Sequence, residues 1–134
     1  MEILIIGHGT YAQGICSAAG IILGNDTNTH FINTFVDDEA LKDKIDRFFE
    51  NRDNLLVFTD MFGGSVNQTL ISYMKKKNLK IITGINLPLV LELILKNKIC
   101  DLSDQEIRNC IKESQKQIKF VNEAVLEKVA DDFE

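Results

Sequence analysis

His8 closes an apolar run and stands between two glycines, in Ile3-Leu4-Ile5-Ile6-Gly7-His8-Gly9-Thr10. It is one of only two histidines in the chain, and histidine is the side chain whose ordinary titration falls near neutral pH. The glycines give backbone freedom and remove neighbouring bulk, which leaves an imidazole open to an incoming reactant. Asp60 closes a second apolar run, Asn54–Thr59. A carboxylate bonded to one ring nitrogen fixes the histidine tautomer and raises the basicity of the other nitrogen. Three residues further on, Gly63-Gly64-Ser65 opens a helix, where backbone N–H groups, a hydroxyl and the positive end of the helix dipole favour a phosphate or phosphoryl group. Each feature alone has a structural explanation, since glycines serve turns and Asp caps loops. Together they equip a nucleophilic histidine (His8), its orienting partner (Asp60) and a phosphoryl cradle drawn from Gly9, Thr10, Gly63, Gly64 and Ser65. That chemistry calls for no cofactor and no metal.

Elements of the right kind are present to bring these loops together. Residues 2–7 read as a buried strand, and residues 11–23 place Ala12, Ile15, Cys16, Ala19, Ile22 and Leu23 at helical spacing, ended by Gly24. Residues 29–35 alternate as a second strand, and a helix from Asp37 or Asp38 carries Leu41, Ile45, Phe48 and Phe49. Asn54–Thr59 is a third strand and Leu79–Thr83 a fourth, separated by a helix bearing Val66, Leu70, Tyr73 and Met74. Gly84-Ile85-Asn86-Leu87-Pro88 opens another helix, with proline at a permitted first-turn position. Ser103-Asp104-Gln105-Glu106 is a capping box for a helix carrying Ile107, Cys110 and Ile111. Ile118–Asn122 reads as a last strand, followed by a polar tail.

Strict alternation of strand and helix predicts the α/β class: an open, doubly wound, four-stranded parallel sheet of order 2-1-3-4 with helices on both faces. Such sheets bind ligands beyond the carboxyl ends of their strands, where strand order reverses, between strands 1 and 3. The loops leaving those two strands are the ones that hold His8 and Asp60.

Composition narrows the functional classes. The 134 residues fit one domain, 1–134, at roughly 150 residues per domain. A balance of 45% hydrophobic and 26% charged residues excludes disorder and collagen-like repeats. The net charge of −5 argues against nucleic acid as a partner. All of that charge comes from residues 1–41, which hold five acids and no Lys or Arg. No apolar run is long enough for a membrane span. Cys16, Cys100 and Cys110 lack metal or disulfide spacing and read as reduced, mostly buried thiols, which places the chain in the cytoplasm. His30, amid Phe31 and Ile32, reads as structural. Lys75-Lys76-Lys77 and Asp37-Asp38-Glu39 read as charges that complement helix dipoles.

Two other functions fit parts of the pattern. Gly7-His8-Gly9-Thr10-Tyr11-Ala12 satisfies the G-x-G-x-x-G/A dinucleotide fingerprint, with Asp37 as a ribose ligand. That spacing exceeds the usual ~20 residues, and the Asp60–Ser65 loop would go unused. A receiver-type switch phosphorylated on Asp60 would be expected to carry paired acids after strand 1, where this chain has Gly-His-Gly.

Over residues 2–125 the chain resembles the enzyme IIA component of the mannose-class (mannose/fructose/sorbose) phosphoenolpyruvate-dependent sugar phosphotransferase system, the EIIA type-4 domain. The resemblance is carried by Gly7-His8-Gly9, by Asp60-x-x-Gly63-Gly64-Ser65 and by Gly84-Ile85-Asn86-Leu87-Pro88, in that order. It implies a phosphohistidine relay. His8 takes a phosphoryl group from phospho-HPr on Nε2, with Asp60 holding Nδ1–H, and passes it to a IIB subunit, which phosphorylates a sugar entering through membrane IIC and IID partners. It also implies a homodimer, in which Ile118–Asn122 is exchanged onto the partner's sheet as an antiparallel edge strand. Two positions depart from the family pattern: Val66 stands where many relatives have proline, and Gly7 where others carry Thr or Ser. No Ala/Pro-rich linker follows the last element, so the chain is expected to be a free-standing IIA subunit, cytoplasmic and transiently associated with a membrane permease complex. A similar phosphohistidine subunit that serves dihydroxyacetone kinase keeps a second acceptor open.

Overall fold

The computed structural model describes the backbone of residues 1–132 and the side chains of residues 1–126. Four strands form one parallel sheet in the order β2-β1-β3-β4, as the alternation of elements predicts. They are β1 (Glu2–His8), β2 (Thr29–Thr34), β3 (Asn54–Thr59) and β4 (Asn78–Thr83). Between and after them run α1 (Tyr11–Leu23), α2 (Leu41–Phe49), α3 (Gly64–Tyr73), α4 (Leu87–Ile99), α5 (Asp104–Gln115) and α6 (Val121–Asp132).

The central strands are apolar over Ile3–Ile6 and Leu55–Phe58 because both of their faces are covered there. Successive side chains of a strand point to opposite faces. Ile3 and Ile5 therefore join Leu56 and Phe58 under α1 and α4, in a core with Ala12, Ala19, Leu89 and Leu93. Leu4 and Ile6 join Leu55 and Val57 on the other face, against Ile45 and Phe49 of α2 and Val66 and Leu70 of α3. Two cores thus grip one sheet, and β1 and β3 are fixed side by side with Ile6 opposite Thr59. The residues that follow, His8 and Asp60, leave the sheet at the same end.

Helix limits follow local polar chemistry. Asn86 Oδ1 accepts from the Leu89 amide at 3.0 Å and caps α4, with Pro88 in the first turn. Ser103 Oγ accepts from the Glu106 amide at 3.1 Å and starts α5. Gly24, at φ +92°, ends α1.

Four expectations need correction. The second helix begins at Leu41 rather than at Asp37 or Asp38, because these acids are drawn into a turn. The Asp37 carboxylate accepts from the Glu39 amide and from buried Lys44 Nζ, each at 3.0 Å, and Glu39 pairs with Arg47. Asp37 and Glu39 are therefore neutralised by cations of α2, not by a helix dipole. Lys77 likewise serves α2 rather than α3: its Nζ donates to Phe49 O at 2.7 Å and it pairs with Asp53. Of the three cysteines, all free, Cys110 is buried and Cys16 half-buried, whereas Cys100 is exposed. Burial pushes the Cys16 thiol up to about 11.

The C-terminal segment is the fourth. Residues 118–120 pair with no strand in the single chain, and Val121 opens α6. An exchanged edge strand exists only when a second chain supplies its ladder; alone, Val121, Ala124 and Val125 fall at helical spacing. The expected polar tail is thus helical as far as Asp132, and residues 133–134 lie outside the described residues. Among the described residues no helix is long and apolar enough to cross a membrane.

Candidate active site

The expected pair is present. Asp60 Oδ2 lies 2.9 Å from His8 Nδ1, and the same oxygen accepts the His8 backbone N–H at 2.8 Å. A carboxylate only accepts, so Nδ1–H donates in this contact, and in the neutral ring the lone pair then lies on Nε2. The His8 side chain is 54% exposed while that of Asp60 is 12% exposed: the acceptor is sheltered and the ring faces out. Partial burial works to push the Asp60 carboxyl up, but the His8 amide, the His8 ring and the Met61 amide together hold it below the usual carboxylate range.

The loop after Asp60 is built to keep its shape. Gly63 (φ +86°) and Gly64 (φ +75°) both take left-handed backbone, and no atom lies within 4 Å of a Cβ built on either. The loop is propped from below by Asn67, a residue that sequence reasoning passed over. Its buried amide donates to Met61 O at 3.0 Å and accepts from Thr59 Oγ1 at 3.0 Å, which ties the loop to the end of β3. Only its position on the face of α3 shared with Val66 and Leu70 signals burial. Above this prop, the amides of the first turn of α3 have no intrahelical acceptor, and Ser65 is exposed.

The opposite lip differs from expectation in one respect. Thr10 is exposed at the N-cap of α1 and makes no side-chain cap bond. Gly9, at φ +57°, already donates its amide to Thr34 O at 2.9 Å, so its contribution is the turn and not a free N–H. A second overlooked residue is Phe35, whose ring stacks on the His8 imidazole at 5.2 Å between centroids. Alternation placed Phe35 inside the second strand; the strand ends at Thr34 and Phe35 turns out of it.

His30 lies 3.3 Å from Glu2 Oε2 and edge-on to Phe48, and among the described residues it makes no contact with His8 or Asp60. Asp37, the ribose ligand of the dinucleotide alternative, is engaged by Lys44 and the Glu39 amide. A cavity of about 410 Å³ runs along Phe31, Asn33, Lys44 and Phe48, and neither His8 nor Asp60 lines it. Among the described residues no three His, Cys, Asp or Glu side chains gather as a metal site requires. The His8 ring thus sits on open surface, a place suited to a group handed from one protein to another.

The family model EIIA-man, the PTS system fructose IIA component, matches residues 2–112. The chain belongs to this family. It is a mannose-class IIA component of the sugar phosphotransferase system. The PTS system sorbose-specific EIIA component of Lacticaseibacillus casei is 30% identical over 99 residues, 69% of this chain and 71% of that protein. Phosphotransferase system component EIIA from Streptococcus agalactiae shares the fold, with a TM-score of 0.77 at 23% identity over 90% of this IIA chain and 97% of the other. The mannose/sorbose-specific IIA subunit from Enterococcus faecalis gives 0.74 at 16% identity, over 88% and 92%. At such identities the likeness speaks to the fold alone.

Proposed function

We propose that this IIA component, as one EIIA type-4 domain over 1–134, is a phosphohistidine relay in which His8 accepts a phosphoryl group from phospho-HPr and gives it to a IIB subunit. The observation that carries this reading is the His8 Nδ1 to Asp60 contact of 2.9 Å, which leaves Nε2 as the free nucleophile on an exposed ring. The Nε2 lone pair attacks phosphorus as the donor's N–P bond breaks and its electron pair returns to the donor nitrogen. Nδ1 keeps its proton, so the phosphorylated ring is cationic, and the Asp60 carboxylate faces that charge. The equatorial oxygens are received by Ser65 and the amides at the start of α3, where the dipole favours anions. Transfer to IIB reverses the geometry. The sugar is chosen by membrane IIC and IID partners, which this chain meets only through IIB, at the cytoplasmic side.

We also propose a homodimer. Ile118, Phe120, Val121, Val125 and Leu126 are all exposed in the single chain, which favours their packing on a second copy. A light-scattering mass near 15.2 kDa would contradict this.

Incubation with phosphoenolpyruvate, enzyme I and HPr is expected to label the protein in an acid-labile, base-stable form. Labelling that survives His8→Ala, or no labelling of the wild type, overturns the relay.

A further inference from the structure

The phenyl ring of Phe35 and the imidazole of His8 lie 5.2 Å apart between centroids, with planes inclined by 27°. Phenylalanine is a poor choice for that position on two counts. It is exposed, and its φ of +61° puts the backbone in the left-handed region where bulky side chains are strained. Strain of this kind persists only where the surroundings impose it, and it clusters at functional sites.

Those surroundings are rigid. Thr34, the residue before Phe35, is paired in register with His8. Its hydroxyl donates to Gly7 O at 3.0 Å and its carbonyl accepts from the Gly9 amide at 2.9 Å. The chain on both sides of His8 is therefore clamped to the residue that launches the Phe35 ring. Those bonds fix the backbones from which the two rings project.

An imidazole bonded only through Nδ1 remains free to rock about that bond, which fixes one edge of the ring but not its plane. In-line displacement at phosphorus needs the attacking lone pair, the phosphorus and the leaving nitrogen close to one line, a stricter demand than contact. We propose that Phe35 is a positioning residue for His8: its ring fixes the imidazole plane, as Asp60 fixes the Nδ1 edge, so that Nε2 points outward along one direction. Phe35 exchanges no proton or electron, and it acts only through His8. This inference rests on His8 as the phosphoryl acceptor.

Three variants test it. Phe35→Leu removes the stack and keeps apolar bulk, Phe35→Gly removes the stack and relieves the left-handed strain, and Phe35→Tyr keeps the stack. Rapid-quench transfer of labelled phosphate from phospho-HPr is expected to show the saturating rate constant lowered about five- to tenfold in the Leu and Gly variants. The half-saturating donor concentration stays within about twofold, the Tyr variant stays within about twofold of wild type, and the Gly variant melts at or above the wild-type temperature. An unchanged saturating rate constant in the Leu and Gly variants, or an effect confined to the half-saturating concentration, overturns the positioning role. Carbon relaxation at His8 Cδ2, measured without any donor, separates this from the relay itself: ring order falls in Phe35→Gly if Phe35 positions the imidazole, and unchanged order rejects the proposal. Absence of label on wild-type His8 rejects the relay instead, whatever the ring order.

Discussion

A single carboxylate oxygen, Asp60 Oδ2, accepts both the backbone N–H and the ring Nδ1 of His8, at 2.8 and 2.9 Å. The backbone bond anchors Asp60 to the end of β1 whatever the ring does, so the carboxylate stays in place beside the imidazole even when the ring bond opens. Asp60→Asn can keep both bonds through its amide oxygen but loses the charge that faces a phosphorylated ring. Hydrogen bonds to charged groups contribute roughly 1.5–3 kcal/mol, so transfer from phospho-HPr to His8 should slow about ten- to hundredfold. Single-turnover quench measurements on Asp60→Asn and Asp60→Ala check this, with the Ala variant at least as slow.

Because its folded carboxyl is held below the ordinary range, Asp60 gives a stability contribution with a defined pH dependence. That contribution is complete above the unfolded value of about 3.9 and is lost as pH falls through the lower folded value. The titration of Asp60 itself should therefore narrow the stability gap between wild type and Asp60→Asn only in acid, as pH falls through the lower folded value. A carboxyl-carbon titration of Asp60 should have its midpoint below about 3.9. In His8→Ala the midpoint should rise, because two of the lowering contributions leave with the ring while burial remains.

Asn67 should prove structural and local. Asn67→Ala strips the buried Thr59 hydroxyl and the Met61 carbonyl of their partner. An unmet buried polar group costs about 1–3 kcal/mol. Urea denaturation should show a loss of that size, and amide exchange in the Met61–Ser65 loop should quicken more than in β1.

Left-handed backbone at Gly63 and Gly64 predicts a penalty without a clash. Open space surrounds both positions, so the cost of Gly63→Ala or Gly64→Ala is that of a backbone conformation side chains rarely adopt, about 1–3 kcal/mol each. Thermal unfolding should register it in both, and His8 labelling should slow as the start of α3, the proposed phosphoryl cradle, is displaced.

What the amino-acid sequence determined by itself is whatever depends on local pattern. Apolar runs in β1 and β3, helical spacing in α1 and α3, and the caps at Asn86 and Ser103 are each set by residues within a few positions. The sheet order followed from their alternation, and His8 and Asp60 followed from the order, since both leave neighbouring strands at the switch point. The tertiary structure decided what depends on partners distant in the chain. His8 and Asp60 are 52 residues apart, and that one oxygen serves two donors is a matter of strand register. Phe35 reads as the last residue of an alternating strand until its φ turns positive and its ring meets His8. Asn67 reads as one more polar helix residue until the ends of β3 and its loop close over it. The helix at Val121, in place of a strand at Ile118–Asn122, has the same origin: a helix makes its backbone bonds within itself, and an edge strand must find them on another chain.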